Sequence, residues 1–453
     1  VEVEESDIRK ACETIVAANP GVPLTCEPNV IVRAALTPND PKLGHLYGLT
    51  KMAAEAAWEY STGSPSVVVA IVDTGVNYNH PDLQQNIFVN QGEIPGNSQD
   101  DDSNGYIDDV IGYDFANVDA NPDDDHGHGS HCAGIVGAKG NNGVGVVGIN
   151  WNVGILPVKA LDSGGSGTNA DVAAGIEYAV DRGASIVSLS LGSSSPSSSI
   201  QNAIAYARAH DVLVVAAAGN DWSDNDLSPT YPASFTDDNL IAVAATTAND
   251  SLAYFSNFGV SSVDVGAPGD DIESTVLGSG YDFYSGTSMA TPYVAGLAAL
   301  VKSVAPGRSY LELREIVLGS VDPLSSLSGK TATGGRVNAH SAVQLAMTGG
   351  PYPTPVVDPT PRYDTGNPAG KNILTLRKRR VQSRLVMSGH IRSSARVPLA
   401  AETISLRCKG LRVRRTESDE DGYFGFKISR PRQTTLCHVS DSESNRSERI
   451  AIP

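Results

Sequence analysis

The sequence predicts an α/β protein: a mostly parallel sheet with helices on both faces, followed by a small antiparallel β-sandwich. Three observations point there. Short β-branched apolar runs alternate with Ala-rich amphipathic stretches as far as residue 348, a Pro-rich segment then breaks the pattern, and short alternating segments follow it. Of 453 residues, 40% are apolar, enough for a sizeable core, and 45 are Gly, which suits many tight turns.

In chain order, residues 1–36 hold one helix-like stretch (6–18) and one strand-like stretch (23–34), too little for an independent core. In residues 37–348 the runs VVVAIV, SIVSLS, VLVVAAAG and LIAVAA read as buried strands, and DVAAGIEYAVDRG and IQNAIAYARAH as amphipathic helices. Alternation of this kind places parallel strands side by side under crossover helices. Residues 349–370 carry six prolines and form a semi-rigid linker. In residues 371–453 the segments ILTLRKRR, LVMSGHIR, ETISLRC, LRVRRTE, YFGFKIS and TLCHVS read as strands of the sandwich.

Charge separates the two main parts. Residues 37–350 carry 11 Lys/Arg against 35 Asp/Glu, a balance of −24, and residues 371–453 carry 18 against 8, a balance of +10. The acidic body argues against nucleic acid as a partner and favours cations. Apolar runs such as Val67–Val72 are far shorter than the ~18 residues of a membrane span. The chain opens on Val and lacks a basic-then-apolar leader, so it reads as processed, with an export signal removed. Two close cysteine pairs, Cys12 with Cys26 and Cys408 with Cys437, read as disulfides, Cys132 as a free thiol, and the compartment as oxidising and extracellular.

Three segments each place one reactive side chain among small residues: Asp73 in AIVDTGV, His128 in DHGHGSHCAGIVGA and Ser288 in YSGTSMATPYVAGLAAL. Singly, Asp73 fits a strand-end cap and Ser288 a helix cap. Together, a carboxylate, an imidazole and a hydroxyl at strand ends and helix starts can converge at the carboxyl edge of a parallel sheet.

These segments resemble the Asp, His and Ser signatures of the subtilisin-like serine proteases, above all the thermitase-type branch, over about residues 37–348. The resemblance implies a calcium-stabilised serine endopeptidase, secreted, monomeric and acting on protein and peptide substrates. Asp73, His128 and Ser288 would form the triad, with Asn220 of AAAGND and the Ser288 backbone N–H as the oxyanion hole. Ser190, Leu191 and Gly192 of one strand, and Gly165, Ser166 and Gly167 of another, would bind substrate backbone, with Asp221 at the mouth of the primary pocket. Cys132 falls one helical turn after His128, as an inert buried thiol or a point where mercurials block the imidazole. One departure is Tyr293, where the family usually has His.

The resemblance also implies calcium ligands. NNGVGVVG would supply Asn142 and the carbonyls of Gly140, Val144 and Val146, completed by Asp40 and Asp82. GYDFANVDANPD would offer Asp114, Asn117, Asp119, Asn121 and Asp123. DDDSNGYIDD would offer Asp100, Asp102 and Asn104 in an EF-hand-like spacing, although Ile111 stands where a bidentate Glu is required. CEPNVIVRAALTPNDP resembles the tail of an inhibitory pro-segment, the chain's own partner in a self-processing zymogen. A second class of reading, a binding protein acting through its basic tail, rests on residues 371–453 alone.

Overall fold

The structure is a computed structural model that describes residues 36–348 in full and, further on, the backbone of strands between residues 373 and 452. Cys12, Cys26, the stretches expected at 6–18 and 23–34, and the linker 349–370 lie outside the described residues. The chain divides into two compact units, residues 1–362 and 363–453.

Short helices α1 (Tyr47–Lys51) and α2 (Ala54–Trp58) lead into β1 (Gly63–Asp73). There follow β2 (Tyr113–Asp114), α3 (His128–Gly137), β3 (Asn152–Lys159), α4 (Asn169–Asp181), β4 (Ile186–Leu189), α5 (Ser198–Ala209), β5 (Leu213–Ala217), β6 (Leu240–Thr246) and β7 (Val265–Pro268). The hairpin β8 (Ile272–Thr275) and β9 (Tyr281–Tyr284) precedes α6 (Thr287–Val304), α7 (Tyr310–Gly319), β10 (Asp322–Pro323), β11 (Gly335–Arg336) and α8 (Ala339–Thr348).

One sheet runs in the order β10-β11-β7-β6-β5-β4-β1-β3-β2, parallel except for the β10–β11 pair at its edge. Each central strand is apolar on both faces, as a sheet covered twice requires. In β1, Val67, Val69 and Ile71 pack with α3 and α6, while Val68, Ala70 and Val72 pack with α4 and α5. The strand period of two thus builds both core layers from one apolar run. Helix α6 is buried along most of its length, and Lys302 near its end is its one charged residue. Capping boxes start α4 (Thr168 with Asp171) and α7 (Ser309 with Glu312).

Tyr293 lies on α6, 3% exposed, and Gly48 makes room for it: a Cβ at position 48 would stand 2.4 Å from the Tyr293 hydroxyl. The larger ring at this position is matched by a missing side chain on α1.

The second unit contains two antiparallel sheets. β12 (Ile373–Leu374), β13 (Arg377–Val381), β14 (Arg384–Arg392) and β17 (Tyr423–Ile428) form one, and β15 (Thr403–Cys408), β16 (Arg414–Glu417), β18 (Thr435–Ser440) and β19 (Ile450–Ile452) the other. Cys408 and Cys437 are register partners across β15 and β18.

Candidate active site

Asp73 is the last residue of β1, so the sheet itself carries this carboxylate to its carboxyl edge. His128 opens α3, and Ser288 is the second residue of α6. The start of α3 can approach β1 this closely because residue 129 is Gly: a Cβ there would stand 2.1 Å from the Gly75 carbonyl oxygen.

His128 Nδ1 lies 2.7 Å from Asp73 Oδ1, which also accepts the Thr74 backbone N–H at 2.7 Å. The Asp73 side chain is 1% exposed and that of His128 21%, so the imidazole reaches solvent while its partner does not. Burial opposes the charged ring, but the charge and hydrogen bond of Asp73 outweigh it and lift the His128 pKa above its ordinary 6.5. Ser288 Oγ donates to the Ser190 carbonyl at 3.2 Å, not to the imidazole. Asn220 follows β5, and its Oδ1 accepts from Thr287 N at 2.8 Å and Thr287 Oγ1 at 2.9 Å. Those two donors fix the amide so that its NH₂ is the free end. A Cβ built on Gly286 would stand 3.4 Å from Asn220 Nδ2 and 3.6 Å from Ser288 N, so the two donors border one small hollow.

Several residues around the site escaped the sequence reading. The buried Asp124 carboxylate accepts from Thr74 Oγ1, His126 N and Gly127 N at 2.9 Å each, and from Ser130 N at 2.9 Å and Ser130 Oγ at 2.6 Å. It ties the start of α3 to the residue after Asp73. Its signal was the acidic triplet ahead of the helix, which reads more simply as a solvated loop. Lys159, the β3 neighbour of Asp73 in register, is buried and donates to the carbonyls of Thr74 and Leu161 and to Asp125.

His131 is buried, stacked on Tyr284 with ring centroids 4.4 Å apart, and its Nε2 bonds the carbonyls of Ile272 (2.9 Å) and Asp282 (3.1 Å). Burial lowers its pKa to about 4, so it stays neutral while it holds the β8–β9 hairpin. Cys132 is fully buried, and burial together with the nearby Asp73 pushes its thiol pKa well up. That suits an inert thiol.

Ser190 follows β4 with Leu191 half-buried and Gly192 exposed, and Gly165, Ser166 and Gly167 form an exposed loop after β3. This loop is closed by Asp162 N bonding the Ser166 carbonyl at 2.7 Å, and a Cβ on Gly165 would stand 3.2 Å from His126 Nε2. Asp221 is exposed, its backbone N–H held by Asn257 Oδ1 at 2.9 Å.

Of the three loops expected to bind calcium, the one built on Asp40 and Asp82 fits a divalent cation best. Both carboxyl groups are buried, and burial first, then for Asp40 the neighbouring Asp82 charge, raises their pKa values. Asp40 Oδ1 is buried with no hydrogen-bond partner, as expected of a ligand atom. Asn142 donates its amide N–H to Asp82 Oδ1 (2.7 Å), and its oxygen accepts Val144 N (2.8 Å). Val146 N donates to Asp82 Oδ2 at 2.9 Å; Gly140 and Val144 lie in the same loop.

In the second loop Asp114 is occupied by Asn117 N and Nδ2 (2.8 Å each), Asp119 by Asn121 N (2.9 Å) and Asn121 Oδ1 by Tyr78 (2.7 Å). Asp123 Oδ1 is buried without a partner. In the third loop, oxygens of Asp100 and Asp102 lie within 4.8 Å of each other and of Glu93, and Asn104 N bonds both aspartates. Glu93 precedes the loop, and its two oxygens accept the backbone N–H groups of Asp101, Asp102 and Asp108.

Comparison with known proteins shows the family. The model of the subtilase family of S8 peptidases matches residues 64–342. The chain is 44% identical over 309 residues to thermitase of Thermoactinomyces vulgaris, covering 68% of this chain and 99% of that one. It is 42% identical over 334 residues to a thermophilic serine proteinase of Bacillus sp. (strain AK1), covering 73% and 76% respectively. Among solved structures, a protease of Pseudoalteromonas arctica superposes with a TM-score of 0.57 at 30% identity, covering 69% of this chain and 100% of that one.

Proposed function

The chain belongs to the subtilase family and is a serine-type endopeptidase; from that premise we propose that Asp73, His128 and Ser288 are its catalytic triad. The observation that carries the assignment is the 2.7 Å pair of His128 Nδ1 and the buried Asp73 at the sheet's carboxyl edge, with Ser288 at the start of the neighbouring α6.

Asp73 engages Nδ1, so the neutral ring keeps its proton there and offers Nε2 as the base. Ser288 Oγ gives its proton to Nε2 as it attacks the substrate carbonyl. The developing oxyanion accepts from Asn220 Nδ2 and Ser288 N, both already oriented before the reaction. The imidazolium, stabilised by Asp73, then returns the proton to the leaving amine, and water hydrolyses the acyl-enzyme by the same route. Substrate adds as an extended strand between residues 165–167 and 190–192, with its backbone read before its side chains, which gives broad specificity. Asp221 rims the pocket for the residue ahead of the cut.

Calcium is a structural ion in this reading. Asp40, Asp82 and Asn142, with carbonyls of Gly140, Val144 and Val146, hold one ion that offsets the two buried carboxylates. The loops at 114–123 and 100–104, the latter with Glu93, are further sites. Residues 1–36 belong to a pro-segment ahead of the peptidase domain at 37–348, and residues 371–453 form an accessory domain on a Pro-rich linker. The protein is exported and matures by its own cleavage, with Cys12 bonded to Cys26 and Cys408 to Cys437.

The test is hydrolysis of an unfolded protein by the purified chain. The proposal expects cleavage that is lost in Ser288→Ala, Asp73→Ala and His128→Ala; cleavage that survives Ser288→Ala overturns it.

A further inference from the structure

Helix α6 contains Pro292, which has no backbone N–H. In an α-helix that N–H would bond the carbonyl four residues earlier, which is the carbonyl of Ser288. The nucleophile's own main-chain oxygen is therefore left without its helical donor. Two side chains from other elements supply what is missing: Ser190 Oγ donates to it at 2.8 Å, and Cys132 Sγ, a weaker donor, at 3.4 Å. Ser190 lies just past β4 on the substrate edge, and Cys132 lies on α3 behind His128.

We infer that the Ser190 hydroxyl is a positioning group for the nucleophile, clamping the carbonyl that Pro292 frees and so fixing Ser288 against the substrate edge. This inference rests on the reading of Ser288 as nucleophile. Ser190 grips Ser288 twice, since its carbonyl also accepts the Ser288 hydroxyl at 3.2 Å. The two contacts have different fates. A substrate pairing with the Ser190 backbone competes for that carbonyl and releases the Ser288 hydroxyl toward His128, whereas the Ser190 Oγ clamp uses neither of those groups and persists through the reaction. The side chain and the main chain of one residue thus do separate work. The backbone binds substrate, and the hydroxyl holds the attacking residue in place, where small misplacements cost rate steeply.

The test is a double-mutant cycle on the full chain, with kcat and KM for a chromogenic peptide normalised to enzyme titratable at Ser288. Ser190→Ala should lower kcat about tenfold and leave KM within about twofold, because the substrate-binding backbone is untouched. Pro292→Ala restores the helical N–H, so in that background Ser190→Ala should cost less than about threefold. An equal loss in both backgrounds, or a loss expressed in KM, overturns the inference. If the wild-type chain shows no Ser288-dependent cleavage, the triad reading fails instead; if it does, and Ser190→Ala keeps full kcat, only the positioning role fails.

Discussion

Replacing Asp124 by Ala removes one carboxylate and leaves five donors without their acceptor. The Thr74 and Ser130 hydroxyls can turn to other partners, and His126 is exposed enough for water to reach its N–H. The N–H groups of Gly127 and Ser130 are buried and cannot move without unwinding the start of α3. Each buried donor left unpaired costs about 1–3 kcal/mol, and hydrogen bonds to a charged acceptor stand at the upper end. Asp124→Ala should therefore cost about 3–5 kcal/mol in urea denaturation. Asp124→Asn keeps the shape and one accepting oxygen, and should fall between the two. Because His128 begins the same helix, kcat should fall in parallel. A loss below about 1 kcal/mol with unchanged kcat would refute the idea that this carboxylate holds the helix start.

Further outcomes follow from the same geometry. Gly48→Ala places a methyl 2.4 Å from the Tyr293 hydroxyl and should destabilise by about 1–3 kcal/mol, with Tyr293→His in the same chain restoring the loss; calorimetry reads both. Chelation should lower the melting temperature and speed autolysis. Asp82→Asn should shrink the response by the share of its own site, and calcium affinity there should weaken as pH falls through the raised carboxyl pKa values of Asp40 and Asp82, above 3.8. The base must be neutral, so kcat/KM should rise with pH through a limb above 6.5, the ordinary histidine value. Asp73→Asn removes the charge that lifts the ring, and should shift that limb to lower pH as well as lower the rate.

The strands VVVAIV, SIVSLS, VLVVAAAG and LIAVAA were legible because each is buried on both faces and so is written as an unbroken apolar run. β3 was not, because Gly154 and Pro157 interrupt it, and the two-residue strands β2, β10 and β11 carry no period at all. In the second unit each of the six expected segments overlaps a strand, the first of them two, while the three-residue β19 was missed. Asp73, His128 and Ser288 stood out because each sits among small residues at an element's end. Asp124, Lys159 and Glu93 did not, because their roles arise from partners distant in sequence or from burial that a single charged letter does not announce. The third acidic loop shows the same limit: spacing pointed to a missing ligand at residue 111, and the fold brings Glu93 to Asp100 and Asp102 from outside the loop.

The most direct measurement is mass spectrometric mapping of the adduct formed with a fluorophosphonate. A single modification on Ser288 is expected, slowed at least about 10³-fold in His128→Ala. An unreactive folded chain, or an adduct on another residue, would contradict it.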